Sequence, residues 1–142
     1  MSDRIIVGVD GSKHSDRAVQ WCAENARAFD AEVLAVHCVD MPVYAGATPY
    51  YPALFLTAEQ REELRDVVTR DWCKPLADGG VTFRTVLADG PPAAAIIKMA
   101  DAEEAVLVVV GRRGRGGFAE LVLGSVSHQL SHHLKRPLVI VP

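Results

Sequence analysis

The sequence predicts one α/β domain, a doubly wound and mostly parallel sheet sandwiched between helices. Apolar runs alternate with amphipathic segments from residue 4 to the end of the chain. This alternation implies right-handed crossovers, which place helices on both faces of a parallel sheet. The chain has 142 residues, 49% hydrophobic and 23% charged, which fits a single domain over residues 1–142.

Five apolar runs are the predicted strands, because buried parallel strands read as near-continuous runs of Val, Ile and Leu. AVLVVVG at 105–111 is the most apolar run and is expected at the centre of the sheet. The runs are 4–10, 32–40, 81–89, 105–111 and 137–142.

Helices are predicted between the strands. The first, 14–29, has one apolar face made of Ala18, Trp21, Cys22, Ala26 and Phe29.

The second helix follows a long insertion. Residues 41–56 are irregular and contain Tyr44, Tyr50 and Tyr51, which indicates a lid or a dimer contact. Thr57 and Gln60 have capping-box spacing, so a helix is expected to run from there to about Lys74. Its apolar face includes Leu64, Val67, Val68 and Trp72, and Pro75 is expected to help end it. A third helix is expected to open at Pro91-Pro92.

Composition excludes several functional classes. The formal net charge of −3 argues against a general binder of nucleic acid or of anionic membranes. No apolar run approaches the roughly 18 residues of a membrane helix, and the N-terminus does not resemble a secretion signal. Cys22, Cys38 and Cys73 are odd in number and far apart, which indicates reduced thiols and a cytoplasmic location.

Ligands of doubly wound folds bind at the carboxyl ends of strands, where the strand order reverses. The loop after the first run contains Gly8, Val9 and Asp10, and the second run ends at Cys38-Val39. Asp10 could cap the first helix or contact a ligand. Because Ser12 is also available as the cap, ligand contact is the favoured interpretation.

The segment GRRGRGGFAELVLGSVS, 111–127, carries the strongest functional signal. Gly111 and Gly114 would let a ligand approach the main chain closely. Gly124 would cost about 1 kcal/mol inside a helix, but at a helix N-terminus it would expose amides and a positive dipole to phosphate. Ser125 or Ser127 could then add hydroxyl donors.

Arginines 112, 113 and 115 lie beside these glycines on a chain of net negative charge. We expect Arg112 and Arg113 to contact phosphate, and Arg115 to be exposed.

Metal binding and catalysis receive weaker support. His128 and His132 are four apart on the last helix, but no third ligand accompanies them, so no metal-ligating side chain is predicted. His37 and His133 are interpreted as structural residues.

The sequence offers little catalytic machinery. The chain lacks the P-loop lysine, and Asp40 and Asp89 are secondary acidic candidates near the site. No catalytic residue is assigned, which suits a binder or a very slow hydrolase.

In this segment the sequence resembles the universal stress protein family, whose nucleotide-binding members carry glycine, two residues, glycine, nine residues, then glycine and serine or threonine. Gly111, Gly114, Gly124 and Ser125 have that spacing. The resemblance extends to IVGVDGS, AVHCVD, GPPAAAI and RPLVIVP. It departs at Ala105, where the family typically has an acidic residue.

The resemblance implies a fold of the adenine nucleotide alpha hydrolase-like type, a five-stranded parallel sheet in the order 3-2-1-4-5. It also implies bound ATP, with ADP or AMP as alternatives, and Mg²⁺ or Mn²⁺ held mainly through the phosphates. A homodimer is implied through the last strand, Leu138–Val141. The implied nucleotide contacts are Gly8, Val9, Asp10, Cys38, Val39, Gly111, Arg112, Arg113, Gly114, Gly124, Ser125, Val126 and Ser127.

The leading functional hypothesis is an ATP-binding regulatory protein of the stress response, with little or no hydrolysis and an unidentified protein partner. An alternative is a protein–protein interaction module whose nucleotide site is vestigial or prefers AMP or a cyclic nucleotide. A slow ATPase is the third hypothesis.

Overall fold

A computed structural model describes residues 2–39, 56–113 and 123–142. Its five strands form one parallel sheet in the order β3-β2-β1-β4-β5. The predicted α/β fold and the order 3-2-1-4-5 are therefore confirmed. The strands are β1 Asp3–Gly8, β2 Ala31–Val39, β3 Phe83–Asp89, β4 Leu107–Gly111 and β5 Leu138–Val141.

Helices cover both faces of this sheet. A 3₁₀ turn, Ala26–Phe29, extends the first helix, and a π-helical turn, Val68–Trp72, separates the second from the third. In the described ranges, no helix is long and apolar enough to cross a membrane. The helices are α1 Lys13–Asn25, α2 Ala58–Val67, α3 Lys74–Asp78, α4 Pro92–Ala102 and α5 Ser125–His133.

The strand order reverses at β1, which lies in the middle of the sheet. Ile6 of β1 is paired with Leu34 of β2 on one side and with Val108 of β4 on the other. β4 is an interior strand between β1 and β5, so the expectation that it is the central one was wrong by one position. The carboxyl ends of β1 and β4 consequently form the switch point at which such folds bind ligands.

The alternation of side chains along β1 divides the interior into two layers. Ile5 and Val7 face the core beneath α1, whereas Ile6 faces the core beneath α4 and α5. All three are fully buried. Leu130, also fully buried, anchors α5 in the second layer.

The first helix differs from its predicted span. α1 ends at Asn25, and the 3₁₀ turn after it closes at Asp30, whose φ of 49° is left-handed. The tighter turn changes the direction of the side chains, so Phe29 is 43% exposed rather than inward.

The second helix also needs correction. Pro75 does not end it, because the chain passes through the π-helical turn and Pro75 then lies in the first turn of α3, where a proline loses no hydrogen bond. Val67 is 42% exposed and Val68 is buried, so the buried face is narrower than predicted. The capping box is confirmed: Thr57 Oγ1 accepts from the Gln60 amide at 3.1 Å, and Gln60 Oε1 accepts from the Thr57 amide at 2.9 Å.

Several predictions fall on residues outside the described part of the chain. They concern residues 40–55, which include Asp40, Tyr44, Tyr50 and Tyr51, and residues 114–122, which include Gly114 and Arg115.

Leu130→Ala tests the anchoring of α5. We expect the free energy of unfolding to fall by about 2–5 kcal/mol, because truncation leaves a cavity under the helix. Urea denaturation measures the change. The exposed neighbour provides the control: Gln129→Ala should alter stability by less than about 0.5 kcal/mol. Equal losses for the two variants would contradict the packing of α5.

Candidate functional site

A cavity of about 100 Å³ lies at the carboxyl ends of β1 and β4. Eight predicted contact residues line it: Gly8, Val9, Asp10, Cys38, Gly111, Arg113, Val126 and Ser127. Ser15, His37, Pro92 and Ile96 also line it and were not in the predicted set.

Four described members of the predicted set, namely Val39, Arg112, Gly124 and Ser125, are not part of its wall. The structure thus brings the two glycine-bearing ends of the 111–127 segment to one pocket with the β1 loop.

The turn from β1 into α1 settles which residue caps the first helix. Ser12 is the N-cap, since its hydroxyl accepts from the Ser15 amide at 3.2 Å. Asp10 orders the turn instead: its carboxylate accepts from the Ser12 amide at 2.9 Å, and its own amide donates to Ser15 Oγ at 3.0 Å. Gly11 occupies a left-handed φ of 78° in this turn. Asp10 is therefore held at the pocket wall by its own loop.

Arg112 joins β4, β5 and α5 through its backbone. Its amide donates to the Val141 carbonyl at 2.7 Å. Its carbonyl accepts from the Gly124 amide at 2.8 Å and from Ser127 Oγ at 2.7 Å. These bonds fix the end of β4 against the start of α5, so the two glycine-bearing ends are neighbours, as the sequence indicated.

Gly124 is the N-cap of α5 and supplies no capping side chain. The expectation that the last helix starts here is confirmed. The amides of Ser125 to Ser127 have no carbonyl one turn earlier in the helix, and the dipole leaves positive potential at this end. Val126 and Ser127 line the pocket, so the positive end of α5 borders it.

The Ser127 hydroxyl has a different role from the predicted one. Ser127 is 2% exposed and donates to the Arg112 carbonyl, with a longer contact of 3.2 Å to the Gly124 carbonyl. The hydroxyl proton of Ser127 is thus hydrogen-bonded within the protein rather than directed at a ligand. Ser125 is exposed, so its hydroxyl remains accessible at the start of α5.

Gly111 is also required for packing, which its sequence pattern did not indicate. A Cβ at this position would lie 2.6 Å from the backbone carbonyl atoms of His14 and 2.7 Å from its Cβ. Only a residue without a side chain permits this contact between β4 and α1. The close approach therefore joins two parts of the protein, in addition to the predicted approach of a ligand.

Three buried nitrogen atoms beside the pocket have no hydrogen-bond partner in the described part of the chain. They are Nδ1 of His14, Nε of Arg112 and Nε of Arg113. Burial lowers the pKa of His14, and the positive charges of Arg17, Arg112 and Arg113 lower it further, while Asp10 acts in the opposite direction. His14 is thus held in its neutral form near neutral pH.

Sequence reasoning missed His14. No local pattern marks a histidine in the first turn of a helix, and its proximity to Arg112 depends on the tight contact at Gly111. Ser15 was also missed, although its contacts are local: its hydroxyl accepts from the Asp10 amide in the same turn.

His37 makes contacts inside the protein, as its structural interpretation expects. His37 Nδ1 is 2.9 Å from the Val9 carbonyl, and the ring packs edge-on against Trp72 with centroids 5.0 Å apart. The rings of His128 and His132 are 4.6 Å apart. Within the described ranges, no three His, Cys, Asp or Glu side chains are grouped so that they could hold a metal ion.

Two of the three cysteines, Cys22 and Cys73, are buried, whereas Cys38 is partly exposed. Burial raises the thiol pKa of Cys22 to about 12 and that of Cys73 to about 11, so both thiols are protonated at neutral pH. Cys38 lies at the pocket, and its thiol is 3.9 Å from the Pro92 carbonyl.

A family model described as the universal stress protein family matches residues 1–142. The chain belongs to this family. Curated relatives include universal stress protein YxiE of Bacillus subtilis, 32% identical over 99% of both chains. Another is universal stress protein MJ0531 of Methanocaldococcus jannaschii, 30% identical over 97% of this chain and 81% of the relative. Some family members are longer: the chain covers 44% of universal stress protein Rv2005c of Mycobacterium tuberculosis, at 33% identity over 96% of its own length.

Solved structures agree with the fold. Universal stress protein UspA from Lactobacillus plantarum superimposes with a TM-score of 0.82 at 21% identity, over 99% of this chain and 97% of its own. A universal stress protein in complex with cAMP has a TM-score of 0.70 at 25% identity, over 99% and 96% of the two chains.

Ser127→Ala tests the bonds at Arg112. We expect the free energy of unfolding to fall by about 1–3 kcal/mol, because the buried Arg112 carbonyl loses one of its donors. Urea denaturation is again the measurement. Ser131→Ala is the matched control on the same helix, since the exposed Ser131 hydroxyl bonds only the His128 carbonyl at 2.6 Å. If Ser131→Ala destabilises the protein as much as Ser127→Ala, the Arg112 contact is not the cause.

Proposed function

We propose that this universal stress protein binds an adenine nucleotide, ATP with Mg²⁺ or Mn²⁺, in the pocket between β1 and β4 and acts as a regulatory protein with little or no hydrolysis. The observation that carries the proposal is the meeting of the uncapped α5 N-terminus with the glycine-bearing end of β4 at the switch point. Such helix ends favour phosphate groups. The buried Arg112 and Arg113 Nε atoms without partners in the described ranges add unused donors beside it.

The pocket wall suggests how the ligand would be oriented. Apolar and main-chain groups of Val9 and Cys38 suit an adenine ring, with Val39 next to them in the chain, and Gly8 and Asp10 suit the ribose. The phosphates would lie along Gly111–Gly114 and along Gly124, Ser125, Val126 and Ser127. The relative solved in complex with cAMP supports an adenine nucleotide as the ligand class.

A divalent cation would be held through the phosphates rather than by a protein cage, because the described residues offer no cluster of metal ligands. The bound cation would neutralise phosphate charge. Asp10 accepts from the Ser12 amide and is the acidic residue on the pocket wall, where it orients the loop. A site of this kind favours binding over turnover.

A second candidate is a protein–protein interaction module whose site prefers AMP or a cyclic nucleotide. The cAMP complex of the structural relative favours it. In both cases we propose a cytoplasmic protein. We also propose that it forms a homodimer through Leu138–Val141, because β5 is an edge strand of the sheet that the described residues form. A regulatory protein partner would distinguish the nucleotide-bound form from the nucleotide-free form.

Calorimetry with nucleotide-free protein tests the proposal. We expect saturable binding of ATP in the presence of Mg²⁺, and mass spectrometry of nucleotide released from freshly purified protein should identify ATP or ADP. Release of AMP or cAMP would favour the second candidate. Absence of binding by any of these nucleotides at millimolar concentration would overturn both.

Gly124→Val tests the phosphate assignment. We expect at least a tenfold loss of ATP affinity, because a β-branched side chain would obstruct the approach of phosphate to the amides of α5. Its φ of −74° is open to any residue, but Gly124 is buried, so urea denaturation must first show that the variant is as stable as the wild type. Gln129→Val carries the same new side chain at an exposed position of α5 and should bind ATP normally. Unchanged affinity in Gly124→Val would show that the phosphates lie elsewhere.

A further inference from the structure

His14, Arg112 and Arg113 form a cluster of nitrogen-bearing side chains at the border of the pocket, and the two arginines are positively charged. Each has a buried nitrogen without a hydrogen-bond partner in the described ranges. Buried polar atoms are rarely left unpaired, because each one gives up its hydrogen bonds to water when the chain folds. Three of them together indicate a group that accepts hydrogen bonds from all three side chains.

Two backbone constraints bring the three side chains together. The contact at Gly111 holds the first turn of α1 against the end of β4, which places His14 beside residues 112 and 113. The bonds to the Arg112 backbone then fix this position relative to α5 and β5. Arg113, Gly111 and Ser15 line the pocket, so the cluster adjoins it directly.

The charges that face His14 are mostly positive. Arg17, Arg112 and Arg113 act on it from α1 and from the end of β4, and Asp10 opposes them from the β1 loop. Arg17 donates to the Pro142 carbonyl at 3.3 Å. Lys13 and Asp16 are the other charged neighbours on α1, and both are exposed. This excess of positive charge favours an anion.

We propose that His14 completes a phosphate subsite with Arg112 and Arg113 and donates a hydrogen bond from its protonated ring to the terminal phosphate of the bound nucleotide. The inference rests on the proposed function, because it names the residues that meet the far end of that ligand. It adds a residue that lies outside the glycine motif.

The subsite makes nucleotide affinity depend on pH. Without ligand, burial and the arginines hold the pKa of His14 below 6.5. A bound phosphate would raise this pKa, because its negative charge stabilises the imidazolium. The ring then takes up one proton from solvent on binding. The added affinity is fully present below the free-state pKa and is lost as pH rises through the bound-state pKa.

His14→Gln isolates this effect. It keeps a hydrogen-bond donor but cannot become charged. We expect ATP to bind the variant about 3–10-fold more weakly than the wild type near pH 6, and within about twofold near pH 8. Because the affinities of the two proteins are compared at the same pH, protonation of the nucleotide itself does not affect their ratio. His132→Gln removes an exposed histidine far along α5 and should match the wild type at both pH values.

A second readout follows the His14 ring by NMR during a pH titration, with and without ATP and Mg²⁺. The midpoint of the His14 titration should rise when ATP binds, and it should rise less when AMP binds. Nucleotide binding with an unchanged midpoint, or an equal pH profile for His14→Gln, would overturn the subsite and leave the proposed function standing.

Sulfate serves as a phosphate-like probe without adenine. If no nucleotide binds but sulfate raises the midpoint, the subsite stands and the proposed function fails. If neither ligand moves the midpoint, the subsite is wrong.

Discussion

The backbone of Arg112 is the point on which the pocket depends. Its amide is bonded to β5, and its carbonyl receives one bond from the N-cap of α5 and one from the buried Ser127 hydroxyl. The ends of β4, β5 and α5 are thus tied together through the backbone of a single residue. Because the described ends of the 111–127 segment are fixed there, the positive end of α5 faces the carboxyl end of β4 rather than open solvent.

The contact between β4 and α1 adds a second constraint. Gly111 lets the first turn of α1 approach so closely that any side chain would collide with the His14 backbone. The same contact buries His14 beside Arg112 and Arg113. Burial lowers the pKa of the imidazole, and the charges of Arg17, Arg112 and Arg113 lower it further. One nitrogen atom of each of His14, Arg112 and Arg113 has no partner in the described ranges. The lack of a side chain at Gly111 therefore permits both the packing of α1 against β4 and the grouping of His14 with the two arginines. This combination accounts for a pocket that favours an anionic group at one end and an apolar group at the other.

The fold could be predicted from the sequence because strand and helix periodicities alternate on both sides of the 41–56 insertion, and the family resemblance supplied the strand order. The position of Gly124 could be predicted because glycine is unfavourable within a helix and acceptable at its start. The π-helical turn at Val68–Trp72 and the exposure of Phe29 could not, since both depend on small changes in helical phase. His14 and the internal bond of Ser127 also escaped prediction. They result from contacts between elements far apart in the chain, which no local pattern records.

The central claim is that an adenine nucleotide occupies the pocket between β1 and β4. Backbone amide chemical shifts of the labelled protein, recorded with and without ATP and Mg²⁺, test it most directly. The account predicts that the largest changes occur at Gly8, Val9, Cys38 and Ser125–Ser127, with smaller ones along β3. Changes confined to another surface, such as the groove of Asp16, Gln20 and Asp78 between α1 and α3, would contradict it.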